Sequence, residues 1–141
     1  LMTVQVNTIR EHGGDIDKMI GDAVLALFDG PDAAGQAIAS AKMILEQVAA
    51  GNHPRGVGIG IYTGEVVSGA IGPADRRDFT VIGDAVNIAS RLCSAAGIGE
   101  LVVDDATAKK AGGEGLGARE DINVKGRRKS LSVCRWHWGP A

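Results

Sequence analysis

A short run in which glycine alternates with branched apolar residues constrains this chain more than any other feature. Between Gly56 and Tyr62 the sequence is GVGIGIY, so Val57, Ile59 and Ile61 fall on one face of a β-strand and the glycines fall on the other. A glycine face carries no side chains, and another element of the fold can therefore approach this strand closely. The run resembles a dinucleotide-binding fingerprint, but no helix follows it, so we exclude that interpretation.

The segments before this strand predict a helix, a β-hairpin and a second helix. Apolar residues recur at helical intervals from residue 2 onward, and a pair of glycines ends the first helix near His12. Alternation over 15–20 and an apolar run over 23–28 flank a turn, which indicates a hairpin with Asp22 at its tip. Asp32 is then placed to cap a helix whose apolar residues at positions 34, 38, 41, 45 and 48 form one buried face.

The segments after the glycine-rich strand predict strands that alternate with helices. We expect the run over 65–71 to pair with the glycine-rich strand. A strand over 79–82 leads directly into a helix over 85–96 with Asp84 as its N-cap. Further strands are predicted over 101–103, 122–124 and 131–136, and a short helix over 106–111. The pattern predicts an α/β fold in which helices cover a mixed sheet.

Composition limits the classes of protein to which the chain can belong. Its 141 residues fit one domain, and 45% hydrophobic residues are enough to bury a core. The net charge of −2 supplies no drive toward nucleic acid or anionic lipid outside the basic run over 125–129. Cys93 and Cys134 lie far apart without metal-ligand spacing. With no apolar run of about 20 residues and no leader that resembles a signal peptide, we expect a cytoplasmic chain without membrane insertion.

Two polar residues of the helix predicted over 85–96 are candidates for phosphate chemistry. Asn87 and Arg91 are four positions apart, about 40° around a helix axis, so they share one face and can serve one ligand. An amide can fix a sugar or base, while a guanidinium forks onto phosphate oxygens. The alternative is the solvated polar face of an amphipathic helix, and spacing alone does not decide between the two.

Three further polar residues are candidates, each with an ordinary alternative. Asp22 can ligate a hard divalent cation such as Mg²⁺ through oxygen, although Asp at a hairpin tip is also a common turn former. Lys18 can contact a base or phosphate, or can protect a strand edge. Lys125 heads the basic run and can hold a polyphosphate, or can belong to a solvated loop. The motifs of P-loop, zincin and α/β-hydrolase enzymes do not occur in the sequence.

Four segments, taken in order, closely resemble the catalytic domain of class III nucleotidyl cyclases. They are HGGDIDKMIGDAVLALF, GVGIGIYTGEVVSGAIG, DFTVIGDAVNIASRLCSAAG and INVKG, and they extend over nearly the whole chain. The resemblance implies a ferredoxin-like palm, an α/β fold with added strands. It also implies that two subunits meet head to tail and that each active site is shared between them.

The resemblance implies roles in metal and base recognition for three residues. Asp22 matches one of the two metal-binding aspartates of the family. Lys18 and Thr80 match the pair that contacts the purine, with Lys18 expected at adenine N1 and Thr80 at the exocyclic amine. Two positions depart from the common pattern, because Tyr62 stands where the family often has His and Thr80 stands where many animal members carry Asp.

The resemblance also implies roles in ribose and phosphate recognition. Asn87 matches the amide that orients the ribose, Arg91 the arginine that stabilises the phosphoryl transition state, and Lys125 the lysine that holds the terminal phosphates. The other metal-binding aspartate of the family lies on a strand upstream of the first residue here. We therefore expect residues 1–141 to be one catalytic domain that lacks this strand and part of its first helical region. We expect this domain to be inactive alone. We also expect an upstream regulatory domain.

The combined expectation is an adenylate cyclase that converts ATP to 3′,5′-cyclic AMP and pyrophosphate. It would work as a homodimer with two Mg²⁺ or Mn²⁺ ions per active site. Guanylate cyclases of the family usually place Glu and Cys at the positions of Lys18 and Thr80, which favours adenine over guanine here. Two alternatives stay open, namely a guanylate cyclase and an inactive cyclase-like domain that serves dimerisation or nucleotide sensing. A degenerate diguanylate cyclase is disfavoured because the downstream segments match the class III family throughout.

Overall fold

The computed structural model describes four helices and eight strands. It covers residues 2–20, 23–51, 57–64, 67–71, 78–82, 84–112, 116–117, 120–122 and 131–137. The helices are α1 (Met2–Glu11), α2 (Ala33–Ala50), α3 (Asp84–Ala95) and α4 (Asp105–Lys110). The strands are β1 (Asp15–Ile20), β2 (Ala23–Leu27), β3 (Ile59–Ile61), β4 (Val67–Ile71), β5 (Asp78–Ile82), β6 (Glu100–Asp104), β7 (Glu120–Ile122) and β8 (Leu131–His137). None of these four helices combines the length and the apolar character that a bilayer span requires.

The described strands form one four-stranded mixed sheet and two antiparallel pairs. The four-stranded sheet has the order β3-β6-β8-β7, in which β3 and β6 are parallel and the other neighbours are antiparallel. β1 and β2 form the predicted hairpin, with a register irregularity between Ile16 and Lys18. β4 pairs with β5 in a second antiparallel ribbon. The α/β class with a mixed sheet and covering helices is therefore confirmed.

The predicted pairing of the run over 65–71 with the glycine-rich strand is wrong. β4 takes β5 as its partner, with Gly69 opposite Thr80, while β3 lies parallel to β6, with Gly60 opposite Val102. The reason is burial, because the three consecutive apolar residues that begin at Leu101 in β6 are all 0% exposed. A strand that is buried on both faces takes an interior place in a sheet. β6 therefore lies between β3 and β8, although β4, β5 and α3 separate it from β3 in sequence.

Different helices bury the two faces of the four-stranded sheet. Leu101 and Val103 pack on the side of α2 and α4, whereas Val102 between them packs on the side of α3. The α2 and α4 side is completed by the buried residues Ile38, Ala41, Leu45, Ala108 and Cys134. The α3 side is completed by the buried residues Ile88, Leu92 and Val133. Alternation of side chains along each strand thus creates two separate cores.

The glycine face of β3 lies directly against α3, so the close approach predicted from the sequence is confirmed. A methyl group on Gly60 would lie 2.2 Å from the backbone nitrogen of Cys93 and 2.8 Å from the carbonyl oxygen of Ala89. A methyl group on Gly58 would lie 3.0 Å from the carbonyl oxygen of Ala96. Because the distances at Gly60 are shorter than any ordinary contact, only glycine admits the helix at this separation.

Helices α1 and α2 hold the β1–β2 hairpin near β3. Ile9 of α1 packs with Ile44 and Val48 of α2, and partly buried side chains from the hairpin and from the start of β3 surround them. These side chains are Ile16, Val24, Ala26, Phe28, Val57 and Ile59. Gly14 allows the chain to pass from α1 into β1, because a methyl group there would lie 2.6 Å from both Ile9 and Phe28. Helix packing thereby fixes the hairpin relative to β3.

Two predicted boundaries and one predicted helix cap illustrate how the structure differs from the sequence pattern in detail. Asp84 is the first residue of α3 rather than the N-cap before it. Asp32 occupies the N-cap position of α2, but its side chain forms no capping hydrogen bond. β7 spans Glu120–Ile122, whereas the sequence predicts a strand over 122–124, of which residues 123 and 124 lie outside the described part. Spacing alone does not resolve such differences, because the ends of elements depend on local backbone geometry.

We expect Gly60→Ala to destabilise the protein and Gly97→Ala to have little effect. The methyl group at position 60 must push α3 away from β3, which costs about 3 kcal/mol of unfolding free energy. Gly97 has open space around it and a φ outside the left-handed region, so alanine changes this free energy by less than about 1 kcal/mol. Urea unfolding followed by circular dichroism measures both variants. Equal stability of the two would contradict the close packing of β3 and α3.

Candidate active site

Helix α3 presents Asn87 and Arg91 on its exposed side. A second side, about 100° around the helix axis, packs on the sheet through Ile88 and Leu92, which are 2% and 0% exposed. Asn87 and Arg91 are both exposed and lie one turn apart in the same helix. The predicted shared face is therefore present, and a ligand on that face can reach both side chains. Their roles in ribose and phosphate recognition stay predictions.

The strands that carry Lys18 and Thr80 lie next to each other. Lys18 is in β1, opposite Leu25 of β2, and directly follows the register irregularity of the hairpin. Thr80 is in the middle of β5, opposite Gly69 of β4. β1 and β5 belong to different antiparallel pairs, yet the two strands contact each other. The fold thus brings together two strands that are distant in sequence and that carry the predicted base-contacting residues.

The predicted metal ligand and the predicted phosphate-binding lysine, Asp22 and Lys125, lie outside the described residues. Within the described ranges, no group of three or more His, Cys, Asp or Glu side chains is arranged to hold a metal ion. The donor chemistry of Asp22 suits Mg²⁺, which prefers carboxylate oxygen. Metal binding at Asp22 stays a prediction.

A buried carboxylate at the carboxyl ends of β3 and β6 is a feature that the sequence analysis did not find. Asp104, the last residue of β6, is 3% exposed, and Thr107 in α4 is 0% exposed. Asp104 Oδ2 accepts from the backbone N–H of Thr107 at 3.3 Å and so caps α4. Asp104 Oδ1 accepts from the Thr107 hydroxyl and, at 3.3 Å, from the backbone N–H of Thr63. An Asp immediately before a short helical segment is the signal that predicts this cap.

This polar cluster holds the segment that leaves β3 beside the first turn of α3. Thr63 Oγ1 also shares a hydrogen bond with Thr107 Oγ1 at 2.5 Å. The residue before Thr63, Tyr62, packs against the apolar core under α3. The residue after it, Gly64, lies close to α3, because a methyl group there would lie 2.7 Å from Cβ of Ala85. The first turn of α3, which carries Asn87, therefore packs against a segment that buried hydrogen bonds fix in place.

The thiol of Cys93 faces the glycine strand rather than the exposed side of α3. Its Sγ donates to the carbonyl oxygen of Gly58 at 3.5 Å. Burial raises the pKa of Cys93, and a hydrogen bond from the backbone of Gly60 opposes that shift. Because the thiol form is favoured, Cys93 is a poor nucleophile at neutral pH and belongs to the packing between α3 and β3.

A model of the adenylate and guanylate cyclase catalytic domain matches residues 7–134 of this chain. The matched range contains all of the residues that the sequence analysis assigns to the site, and it contains all four motifs on which the resemblance rests. The chain therefore belongs to this family of nucleotide cyclase catalytic domains, as the sequence predicts.

Relatives in sequence include an adenylate cyclase and an uncharacterized protein. An adenylate cyclase of Anabaena cylindrica is 38% identical over 142 residues, which cover 89% of this chain and 28% of that protein. An uncharacterized protein of Mycobacterium tuberculosis is 39% identical over 98 residues, which cover 67% of this chain and 17% of that protein. The chain thus spans less than a third of the length of either relative.

Solved structures of both adenylyl and guanylyl cyclases share this fold. The guanylyl cyclase Cya2 superposes with a TM-score of 0.82 at 30% identity, covering 95% of this chain and 75% of that one. The adenylyl cyclase CyaB of P. aeruginosa superposes with a TM-score of 0.71 at 28% identity, covering 95% of this chain and 76% of that one. Since enzymes named for either base share the fold, the fold by itself does not choose the base.

We expect Thr107→Val to destabilise the protein more than Thr63→Val. Valine keeps the shape of Thr107 but removes the hydroxyl that bonds the buried Asp104 carboxylate, which costs about 1–3 kcal/mol of unfolding free energy. Thr63 is exposed, and its valine variant keeps the backbone N–H that bonds Asp104, so it loses less than about 1 kcal/mol. Chemical denaturation of both variants measures the difference. The reverse order would show that the cluster is not held through Thr107.

Proposed function

We propose that this domain is the catalytic part of an adenylate cyclase that converts ATP to 3′,5′-cyclic AMP and pyrophosphate. The observation that carries the proposal is the exposed pair of Asn87 and Arg91 on one face of α3, within a chain that belongs to the nucleotide cyclase family. The similarity to the adenylate cyclase of Anabaena cylindrica over 89% of the chain supports the choice of reaction.

In this proposal the protein acts by positioning and by electrostatic stabilisation. The ribose 3′-oxygen attacks the α-phosphorus, the bond from that phosphorus to the pyrophosphate oxygen breaks, and the hydroxyl proton passes to solvent. Asn87 holds the ribose so that its 3′-oxygen lies in line with the leaving group. Arg91 donates to the α-phosphate oxygens, on which charge accumulates in the transition state. Lys125 holds the terminal phosphates that depart as pyrophosphate.

Divalent metal ions are part of the same proposal. Asp22 is the residue that would hold Mg²⁺ or Mn²⁺ through its carboxylate, and a bound ion would neutralise phosphate charge. The family uses two such ions per site. We propose that a carboxylate from an upstream strand completes the ligand set, so that residues 1–141 alone are inactive.

The proposed enzyme is a homodimer. Two head-to-tail copies would each contribute part of every active site, with the base-contacting residues Lys18 and Thr80 serving the nucleotide whose metal ions the partner copy holds. We also propose that the domain works in the cytoplasm, where ATP is available, and that an upstream regulatory domain controls it. No role in binding nucleic acid is proposed, because the net charge of −2 supplies no electrostatic drive for it.

A guanylate cyclase is the second candidate, because the guanylyl cyclase Cya2 superposes with a TM-score of 0.82. We favour ATP because the ammonium group of Lys18 can donate to adenine N1, an acceptor, whereas guanine presents N–H at that position. A cyclase-like module without activity is the third candidate. Retention of Asn87, Arg91 and Lys125 argues against that reading, since binding without chemistry does not need a transition-state arginine.

We expect Arg91→Ala to lower kcat for cyclic AMP formation by about 100-fold or more, because it removes a donor to the transition state. The assay uses Mn²⁺ and ATP with this chain extended upstream by the strand that carries the other aspartate. Arg10→Ala, an exposed arginine of α1, is the matched control and should keep wild-type activity. If the extended wild-type protein is active and Arg91→Ala keeps that activity, the proposed role of Arg91 is contradicted. Silence of the extended wild-type protein would favour the inactive module.

We expect the double variant Lys18→Glu, Thr80→Cys to shift the product from cyclic AMP toward cyclic GMP. A carboxylate accepts from the N–H groups of guanine, so the ratio of kcat/KM for GTP over ATP should rise by about tenfold or more. Lys110→Glu makes the same charge change at an exposed position of α4 and should leave the ratio unchanged. A ratio that stays at the wild-type value in the double variant would show that other residues select the base.

A further inference from the structure

Arg135 of β8 ties the end of α3 to the four-stranded sheet. Its Nη1 donates to the carbonyl oxygen of Ala95, the last residue of α3, at 3.1 Å. The same nitrogen donates to a carboxylate oxygen of Glu100 in β6, and Nε donates to a carboxylate oxygen of Glu120 in β7 at 2.6 Å. One side chain thus joins three neighbouring strands to the carboxyl end of the helix.

Glu100 extends this connection into the turn that follows α3. Its Oε1, the oxygen that Arg135 contacts, also accepts from the backbone N–H of Gly97 at 3.2 Å. A cation at a helix carboxyl end is stabilised by the helix dipole, and a guanidinium holds its geometry better than an ammonium group. The Arg135 side chain is 30% exposed, that of Glu100 21% and that of Glu120 47%, so the contact with Glu100 is better shielded from solvent than the contact with Glu120.

Within the described residues, the other contacts of α3 offer less resistance to movement along the helix axis than the Arg135 cluster does, although Cys93 Sγ donates one long hydrogen bond to the carbonyl oxygen of Gly58 at 3.5 Å. β3 presents Gly58 and Gly60 to the helix, and a glycine face has no side-chain ridges that interlock with the grooves of a helix. The packing of Ile88 and Leu92 on the sheet is apolar and therefore non-directional. The Arg135 cluster supplies directional, charged hydrogen bonds at the carboxyl end of the helix.

We propose that Arg135 is a positioning residue for the cyclase reaction, which sets the axial position of α3 and thereby the position of Asn87 and Arg91. Its effect on catalysis rests on the proposed function, whereas its effect on α3 does not. Arg135 itself touches the helix end rather than the exposed face, so it acts through the residues that α3 carries. A displacement of about 1 Å in a catalytic group costs about 100-fold in rate.

Hydrogen exchange tests the structural half of the proposal. We compare wild-type protein with Arg135→Met, which keeps the apolar stem, with Arg135→Lys, and with Lys109→Met, which removes the ion pair between the exposed Lys109 and Asp105 in α4. In Arg135→Met the amides of α3 should exchange about tenfold faster while those of α2, which Arg135 does not contact, change little. Arg135→Lys should restore part of the protection, and Lys109→Met should match wild type. Unchanged exchange in α3, or equal acceleration throughout the protein, overturns the proposal.

Kinetics of the upstream-extended protein test the catalytic half. Arg135→Met should lower kcat by about tenfold and change KM for ATP less than about twofold, because a displaced α3 affects the transition state more than ground-state binding. In an Arg91→Lys background the same substitution should lower kcat by a smaller factor, since Arg135 acts through Arg91. The proposal is overturned if Arg135→Met lowers kcat by the same factor in both backgrounds, or if it changes only KM. If wild-type protein forms no cyclic nucleotide, the proposed function fails, and hydrogen exchange alone decides whether Arg135 positions α3.

Discussion

The contact between the backbone of α3 and the glycine face of β3 is the constraint on which the rest of the structure depends. Only glycine at position 60 allows Ala89 and Cys93 to lie so close, and this proximity seats Ile88 and Leu92 on the sheet. With α3 seated, its exposed side is defined, and Asn87 and Arg91 are presented to solvent as a pair. A side chain at Gly60 would move the helix away and with it both candidate site residues.

Polar clusters hold the two ends of this assembly. The first residues of α3 lie beside Gly64 after β3, and Ala96 after its last turn lies beside Gly58, so the helix runs antiparallel to the strand. At one end the buried Asp104 carboxylate fixes the segment after β3, and at the other end Arg135 binds the last carbonyl group of the helix. Close packing thus sets the distance between the two elements, the Asp104 cluster fixes the segment after β3, and the hydrogen bond from Arg135 opposes sliding of α3.

Much of the fold follows from short-range patterns in the sequence. The features that these patterns do not predict have a common cause. The hairpin, α2, α3 and the glycine face were all predictable, because periodicity and turn residues act over a few positions. The partner of β4 was not, since pairing depends on which strands remain buried after the helices dock. The Asp104 cluster was missed for the same reason, because Thr63 and Thr107 meet only when β3 and β6 lie side by side.

For the candidate site, the sequence by itself determined the residue types, the one-turn spacing of Asn87 and Arg91, and membership in the cyclase family. Helical geometry follows from the local chain, so these two residues share a face wherever the helix lies. Only the tertiary structure decided that this face is exposed and that β1 and β5, the strands of Lys18 and Thr80, lie in contact. Such contacts join segments that are distant in sequence. Burial and backbone pairing across the whole domain decide them, and both are settled only when the distant segments pack together.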